Sequence, residues 1–191
     1  MKFNAKSLII ICAILLLSIG FGFAFDGVAT AIEKKQYPLS ERYADDIRAA
    51  AEEYGIPEAI LWAVVRTESG FAIDLAGENG GIGLMQLTPE EFEMIQTVIL
   101  GEAPEEAGLL YDPKKNLECG AAYLSYLYQR YGVWETVFAA FDAGTDDVDA
   151  WLANPAYVSE LGTLKDIPNT RTARFVRDVT KAHDLYTKLY F

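Results

Sequence analysis

The sequence contains few of the residues that bind transition metals or form disulfides. Its 191 residues include two cysteines and one histidine. Cys12 lies in an apolar run near the N-terminus, so Cys119 is the only cysteine in the rest of the chain. One thiol makes no intramolecular disulfide, and one histidine with one cysteine is too few for the usual zinc sites. We therefore expect neither a metal ion nor another cofactor, and a hydrolase with a histidine base would depend on His183 alone.

Basic residues are also scarce. The chain has 16 Lys and Arg against 28 Asp and Glu, which gives a formal net charge of −12. A protein with this charge repels the phosphate backbone, so nucleic acid is excluded as a partner. The chain is long enough for one domain with a core of its own, and charge says little about the fold of that domain.

One long apolar run is present, at the N-terminus. Lys2 and Lys6 precede an uncharged stretch from Ser7 to Phe25. Such a stretch is a secretory leader or a short membrane anchor, and Ala29-Thr30-Ala31 offers a cleavage site. We expect residues 1–31 to be a signal peptide or signal anchor, 32–37 a linker and 38–191 an exported domain. The domain would be secreted if the leader is cleaved, and anchored to the membrane by this segment if it is not.

The remaining chain has the apolar spacing of helices, separated by Gly and Pro. The stretch from Phe71 to Gly83 is a Gly-rich loop or short hairpin, and the acidic stretch from Gly101 to Tyr111 is irregular. No other period-2 run indicates a strand, so one mainly helical domain is expected. The predicted helices are Leu39–Tyr54, Pro57–Ser69, Thr88–Leu100, Pro113 or Asn116 to Tyr131, Trp134–Asp142, Asp147–Ala153, Pro155–Leu161 and a last helix from Thr170.

Glu68 is an acid on the apolar face of the second predicted helix. Leu61, Val64 and Val65 precede it by seven, four and three positions and share its face. A carboxylate on a core-facing surface is costly unless it is paired or protonated. Glu68 is therefore either a surface acid at a frayed helix end or a carboxyl group held neutral, which can donate a proton to a leaving group.

Two further segments have the composition of a binding site, although each alone also fits an ordinary structural role. In the segment from Gly83 to Pro89, a flexible glycine leads through apolar residues and one amide to a helix with a Thr-x-x-Glu capping box. In the segment from Ala140 to Gly144, a helix end carries one aromatic residue and one acid among small residues.

The order of these segments resembles the soluble lytic transglycosylase family, whose members are lysozyme-like domains that cleave bacterial peptidoglycan. The pattern is Glu-Ser-Gly-Phe, Gly-Leu-Met-Gln-Leu-Thr-Pro, Asp-Pro-Lys-Lys-Asn with a later Gly and Tyr-Leu, and Ala-Phe-Asp-Ala-Gly. The resemblance runs from Tyr37 to Tyr190. It implies a lysozyme-like single helical domain with a deep groove for glycan strands, preceded here by the N-terminal apolar helix.

The resemblance also implies roles for particular residues. Glu68 would act as the single catalytic acid and base, cleaving the β-1,4 bond between N-acetylmuramic acid and N-acetylglucosamine and leaving a 1,6-anhydro ring. No metal takes part in this scheme. The residues that would line or support the substrate site are Ser69, Gly83, Leu84, Met85, Gln86, Phe141 and Asp142.

Three residues depart from the family pattern. Phe141 and Asp142 stand where the family has Tyr and Asn, and Arg171 stands where it often has Glu. A second carboxylate beside Glu68 would couple to it and could serve a water, as in a muramidase. The alternatives are therefore a hydrolase acting through Glu68 and Asp142, or a weakly active glycan-binding or scaffold domain.

Overall fold

A computed structural model of the protein describes residues 27–77 and 79–191, and most of these residues are helical. Within this described part the only β-type pairings are isolated bridges, two of them in the Gly-rich loop (Ala76 with Ile82, and Ile82 with Leu87). The mainly helical fold is therefore confirmed. From residue 39 onward the α-helices are α1 (Ala44–Tyr54), α2 (Glu58–Ser69), α3 (Pro89–Met94), α4 (Pro113–Tyr131), α5 (Trp134–Ala143), α6 (Thr145–Leu152) and α7 (Thr170–Tyr190).

The chain divides into two units, Met1–Pro38 and Leu39–Phe191. In the first unit residues 27–36 are helical, so most of the predicted linker 32–37 is helix rather than irregular chain. The predicted leader or anchor, with its apolar run from Ser7 to Phe25, lies outside the described residues except for its last few positions. In the part that is described, no helix has both the length and the apolarity needed to cross a membrane.

Glycine and threonine set the helix boundaries that the sequence predicted. Gly55, Gly70 and Gly132 follow α1, α2 and α4 with φ of 65°, 57° and 70°, a left-handed conformation that glycine adopts without steric cost. The capping box at the start of α3 is also present. The Thr88 hydroxyl accepts from the Glu91 amide at 3.2 Å, and the Glu91 carboxylate accepts from the Thr88 amide at 2.8 Å.

The helix predicted for Pro155–Leu161 is wrong. This segment forms turns with one isolated bridge between Val158 and Leu164. The Ser159 hydroxyl accepts from the amides of Leu161 and Thr163, both at 3.3 Å, and this local pairing competes with helical hydrogen bonds.

Two other predicted helices differ from the structure in their extent. The first begins at Ala44 rather than Leu39, after a turn in which the Tyr43 amide donates to the Ser40 carbonyl. The third remains α-helical only to Met94 and continues as a π-helical segment, Ile95–Leu100. In the stretch predicted as irregular, Ala107–Tyr111 forms a 3-10 helix.

Helix α2 lies at the centre of the domain, packed against α1 and along α7, while α5 packs between α4 and α7. Trp62 of α2 is fully buried, with its ring centroid 6.0 Å from that of Tyr186 in α7 and 5.6 Å from that of Phe71. The apolar side of the last helix is buried, at Phe175, Val176, Val179, Tyr186 and Leu189. Glu68, near the end of α2, is therefore carried by a helix that is packed in the core.

Candidate active site

Glu68 lies at the C-terminal end of α2 and lines a cleft of about 220 Å³. The apolar residues on its face, Leu61, Val64 and Val65, are fully buried, as the helical spacing predicted. Glu68 itself is half-buried. It lines the cleft on one side and is surrounded by other residues of the protein on the rest. The other residues that line the cleft are Gly77, Asn79, Gly81, Gln86, Thr88, Glu91, Phe141, Asp142 and Arg171.

The environment of Glu68 favours its protonated form. Burial raises the pKa of this carboxyl from 4.5 to about 8, and the negative charges of Asp142 and then Glu91 add to the shift. The cation of Arg171 acts in the opposite direction. Glu68 is therefore largely protonated at neutral pH, which is the state that a general acid requires.

Ser69 joins the end of α2 to the loop that follows Gly83. Its hydroxyl lies 2.8 Å from the carbonyl oxygen of Leu84 and 3.1 Å from that of Val65, and it accepts from the Phe71 amide at 3.2 Å. These contacts go to the backbone and fix the loop beside Glu68. A contact between Ser69 and a sugar stays a prediction.

Asn116 of α4 binds the same loop through its side chain. Its side-chain oxygen accepts from the Met85 amide at 2.8 Å, and its amide group donates to the carbonyls of Ile82 and Leu110, both at 2.9 Å. The Asn116 side chain is fully buried, so water does not reach it. These backbone groups therefore satisfy its hydrogen-bonding atoms instead. The sequence signal for this role was an amide at a core-facing position of a helix.

Leu84 and Met85 are not among the residues that line the cleft, and a role for them in binding substrate stays a prediction. Both are fully buried. The Met85 sulfur lies over Gly120 of α4, where an added Cβ would collide with it. These two apolar side chains anchor the loop in the core, and the polar part of the same segment faces the cleft.

Gly83 and Gln86 take unusual backbone conformations next to the cleft. Gly83 has a φ of 80°, and a Cβ there would meet the Asn116 side chain and the Leu110 carbonyl. Gln86 has a φ of 50°, which is costly for a residue with a side chain. The Gln86 amide donates to the carbonyls of Gly83 at 2.8 Å and Leu75 at 3.1 Å, so this cleft-lining side chain also ties the loop together.

Phe141 and Asp142, at the end of α5, form the opposite wall of the cleft. The Phe141 ring is buried between Tyr123 and Phe175, with centroids 5.6 Å and 6.4 Å away. The Asp142 side chain is 11% exposed and its Oδ2 lies 3.5 Å from the guanidinium of Arg171. That guanidinium donates to the Asp142 carbonyl oxygen at 2.9 Å, while Oδ2 itself has no hydrogen-bond partner.

Glu91 is a cleft residue that the sequence reasoning missed. The capping box already explained its presence, so nothing marked it as functional. Its Oε2 accepts from the Thr88 amide and hydroxyl, and burial raises the pKa of its carboxyl. It adds a third acid to the cleft beside Glu68 and Asp142. Within the described residues, no three His, Cys, Asp or Glu side chains are grouped so as to hold a metal ion.

The helical fold, with a glutamate of raised pKa at a cleft, is that of a lysozyme-like domain. The transglycosylase SLT domain family matches residues 45–160, more than half of the chain, and the protein belongs to this family.

Relatives with curated names point the same way. The soluble lytic murein transglycosylase of Escherichia coli strain K12 is 30% identical over 162 residues, which cover 82% of this chain and 24% of that protein. The membrane-bound lytic murein transglycosylase C of Edwardsiella ictaluri is 30% identical over 118 residues, covering 57% of this chain and 33% of its own. The chain thus spans between a quarter and a third of the length of these relatives.

Solved structures are similar as well. The 70-kDa soluble lytic transglycosylase of Escherichia coli superposes with a TM-score of 0.72 at 26% identity, covering 82% of this chain and 25% of that one. The inactive Glu-to-Gln mutant of the lytic transglycosylase Slt of Pseudomonas aeruginosa gives a TM-score of 0.70 at the same identity and the same coverage. A complex of the 70-kDa enzyme with bulgecin A also matches, with a TM-score of 0.72.

Proposed function

We propose that this protein is an exported lytic transglycosylase that cleaves the MurNAc–GlcNAc bond of peptidoglycan, with Glu68 as its single acid and base. The observation that carries the proposal is the half-buried Glu68 carboxyl at the cleft, whose pKa is raised to about 8. An acid that is protonated at neutral pH and reaches a groove is suited to protonating a glycosidic oxygen. Family membership and the names of the relatives support the same activity and the same substrate.

In the first step Glu68 donates its proton to the glycosidic oxygen, and the bond between that oxygen and the muramic acid C1 breaks. The N-acetylglucosamine side leaves as an alcohol. The positive charge that develops at C1 is stabilised by the acetamido oxygen of the same muramic acid residue. Because the substrate supplies this group, a second enzymatic nucleophile is not needed, in contrast to most retaining glycosidases.

In the second step the ionised Glu68 takes the proton of the muramic acid C6 hydroxyl. The freed oxygen attacks C1, the acetamido group is released, and a 1,6-anhydro ring closes. Glu68 ends protonated, so one carboxyl group serves both steps. The reaction consumes no water. The groove around Glu68, with Gln86 on one side and Asp142 on the other, would hold the glycan strand during both steps.

We further propose that the domain acts on the outer side of the cytoplasmic membrane. Two lysines followed by the apolar run from Ser7 to Phe25 support export. Both soluble and membrane-bound transglycosylases occur among the named relatives. Expression of the full chain, followed by cell fractionation and N-terminal sequencing, would show whether the leader is removed or keeps the domain on the membrane.

The deciding experiment is digestion of purified peptidoglycan sacculi, with the released fragments identified by mass spectrometry. The wild-type protein should release fragments ending in 1,6-anhydro-muramic acid, and Glu68→Gln should release none while remaining folded by circular dichroism. Glu93→Gln is the matched control. It removes a carboxylate from the exposed side of α3 and should leave the products and their rate unchanged.

The other candidate functions give different results in the same assay. A hydrolase acting through Glu68 and Asp142 gives fragments with a reducing end, heavier than the anhydro form by one water. A binding or scaffold domain binds sacculi saturably and releases nothing. An active Glu68→Gln protein contradicts the proposed mechanism outright.

A further inference from the structure

A second cavity adjoins the cleft. It has a volume of about 360 Å³ and is lined by Glu91, Tyr123 and residues 143–147. Glu91 lines both cavities, and Asp142 of the cleft is followed directly in the chain by the first residue of the range 143–147. The two cavities therefore meet at Glu91, and we call the second one the acidic pocket.

The acidic pocket carries negative charge that no neighbouring cation balances. Glu91, Asp146 and Asp147 are its three acids, and none of the described residues that line it is basic. Arg171, the cation of the cleft, does not line this pocket. A cation that enters the pocket is therefore attracted by three acids and repelled by none of the residues around it.

Local structure already accounts for the presence of each acid. Asp146 and Asp147 stand in the first turn of α6, where negative charge is favourable to the helix dipole. Glu91 completes the capping box with Thr88 at the start of α3. The acids alone therefore do not indicate a binding site, and a second feature has to point to a ligand.

Tyr123 of α4 is that second feature. Its side chain lines the acidic pocket and is only 3% exposed, yet its hydroxyl has no hydrogen-bond partner among the described residues. Burial, and after it the charge of Glu91, raises the pKa of this phenol. Buried hydroxyl groups are nearly always hydrogen-bonded in native proteins. We therefore expect the Tyr123 hydroxyl to bond to a group that enters the pocket.

The chemistry of the acidic pocket fits an organic cation. In the part of the chain that the structure describes, no three ligating side chains are grouped so as to hold a metal ion. The volume of about 360 Å³ is many times the roughly 30 Å³ that one water molecule occupies in the liquid. A primary ammonium group has three N–H donors, and carboxylate and phenol oxygens both accept from such donors.

We propose that the acidic pocket binds a primary ammonium group carried by the peptidoglycan substrate, with Asp146, Asp147 and the Tyr123 hydroxyl as its ligands. This inference rests on the proposed function, since it gives the strand that Glu68 cleaves a second point of contact. Two parts of the substrate can carry such a group. One is the free amine of a diamino acid in an uncross-linked stem peptide, and the other is a sugar that has lost its N-acetyl group.

The first test measures binding to the full-length Glu68→Gln protein by isothermal titration calorimetry, so that cleavage does not accompany binding. The probes are soluble glycan fragments with uncross-linked stem peptides, with the amine free, acetylated or dimethylated. Acetylation removes the charge and should weaken binding about five-fold, as expected for partly exposed ion pairs. Dimethylation adds bulk but keeps the charge, so most of the affinity should remain.

The second arm of this test uses peptide-free glycan fragments with and without one N-deacetylated sugar. A preference for the free amine in the first arm identifies the stem peptide as its source, and a preference in the second arm identifies the sugar. Equal affinity for free and blocked amines in both arms would overturn the proposal.

The second test removes the charge of the acidic pocket. Asp146→Asn combined with Asp147→Asn should abolish the preference for the free amine. Glu52→Gln combined with Glu93→Gln is the matched control, because it removes two exposed acids that line neither cavity and should keep the preference. A preference that survives in the asparagine variant contradicts the proposal. An equal loss in the control does so too, since net charge alone would then attract the amine.

The third test removes the Tyr123 hydroxyl. Because this group has no partner in the described part of the protein, Tyr123→Phe should unfold at the same urea midpoint as its parent. Its preference for the free amine should fall about three-fold, which is the effect of one lost hydrogen bond. A lower midpoint with an unchanged preference would assign the hydroxyl to the fold and refute its role as a ligand.

These results are separable from the proposed function. If the wild-type protein forms anhydro products while the fragments bind without regard to their amines, only the role of the acidic pocket is refuted. If the fragments bind with the expected preference but the wild-type protein releases no anhydro products, the proposed reaction fails and the role of the pocket stands.

Discussion

Replacing Glu68 by Gln should stabilise the fold above neutral pH while it abolishes activity. Folding raises the pKa of this carboxyl from 4.5 to about 8, chiefly through burial. Below pH 4.5 the group is protonated in both the folded and the unfolded chain, so it contributes no pH dependence there. Between the two values the folded protein holds a proton that the unfolded chain releases, so stability falls as pH rises. Above about pH 8 the penalty is complete.

The size of the effect follows from the two pKa values of Glu68. Each pH unit between them is worth about 1.4 kcal/mol, so the full difference from 4.5 to about 8 amounts to roughly 5 kcal/mol. Domains are stable by about 5–15 kcal/mol in all, so this is a large fraction. A neutral glutamine escapes the penalty. The free energy of unfolding of Glu68→Gln should match that of the wild type near pH 4 and exceed it by several kcal/mol at pH 9.

Urea unfolding followed by circular dichroism at pH 4, 6.5 and 9 measures this difference. Glu93→Gln again serves as the control, because its exposed carboxylate should add no comparable pH-dependent difference. A gap between wild type and Glu68→Gln that stays constant from pH 4 to pH 9 would refute the reasoning. A glutamine variant that is less stable at pH 9 would do so too, since it would mean that ionised Glu68 has stabilising partners in the cleft.

Three further predictions follow from the same contacts. Asn116→Ala should lower the free energy of unfolding by about 3 kcal/mol in urea, because it leaves two buried backbone groups and one part-buried backbone group without the partner that Asn116 supplies. Gly120→Ala should cost about 1–3 kcal/mol in the same assay, since its methyl group collides with the end of the Met85 side chain; an unchanged midpoint would show that Met85 moves aside. The wild-type kcat/KM should fall as pH rises through about 8, where Glu68 loses its proton, and a flat profile to pH 9 would contradict its role as the acid.

The sequence predicted the helices well where a local signal ends them. Gly55, Gly70 and Gly132 stand at helix ends with positive φ, and Thr88 forms its capping box, because each of these devices acts within a few residues. The prediction failed at Pro155–Leu161, where one side chain, Ser159, captures the amides that a helix would use. Composition there resembled that of a helix, and only the geometry of the turn could show the difference.

The candidate site was predictable to a smaller extent. The apolar face of α2 pointed to Glu68, because helical spacing alone places it toward the core. The sequence could not show that the Met85 side chain faces the core while the Gln86 side chain faces the cleft. This difference arises because the backbone turns at Gln86, whose φ is 50°. Glu91 and Arg171 reach the cleft through the packing of α3 and α7, which no local pattern encodes.

The two walls of the cleft differ in how much sequence change they can accept. On the loop side, Gly77 and Gly81 lie so close to Gln86 that any side chain at either position would strike it. Steric fit against Gln86 determines that wall. Substitutions there should disturb the loop rather than change which glycan is bound. On the helical side, Asp142 and Arg171 meet through charge, which several residue pairs can satisfy. New glycan preferences should therefore be sought by varying the helical wall, with the glycine-rich wall left as it is.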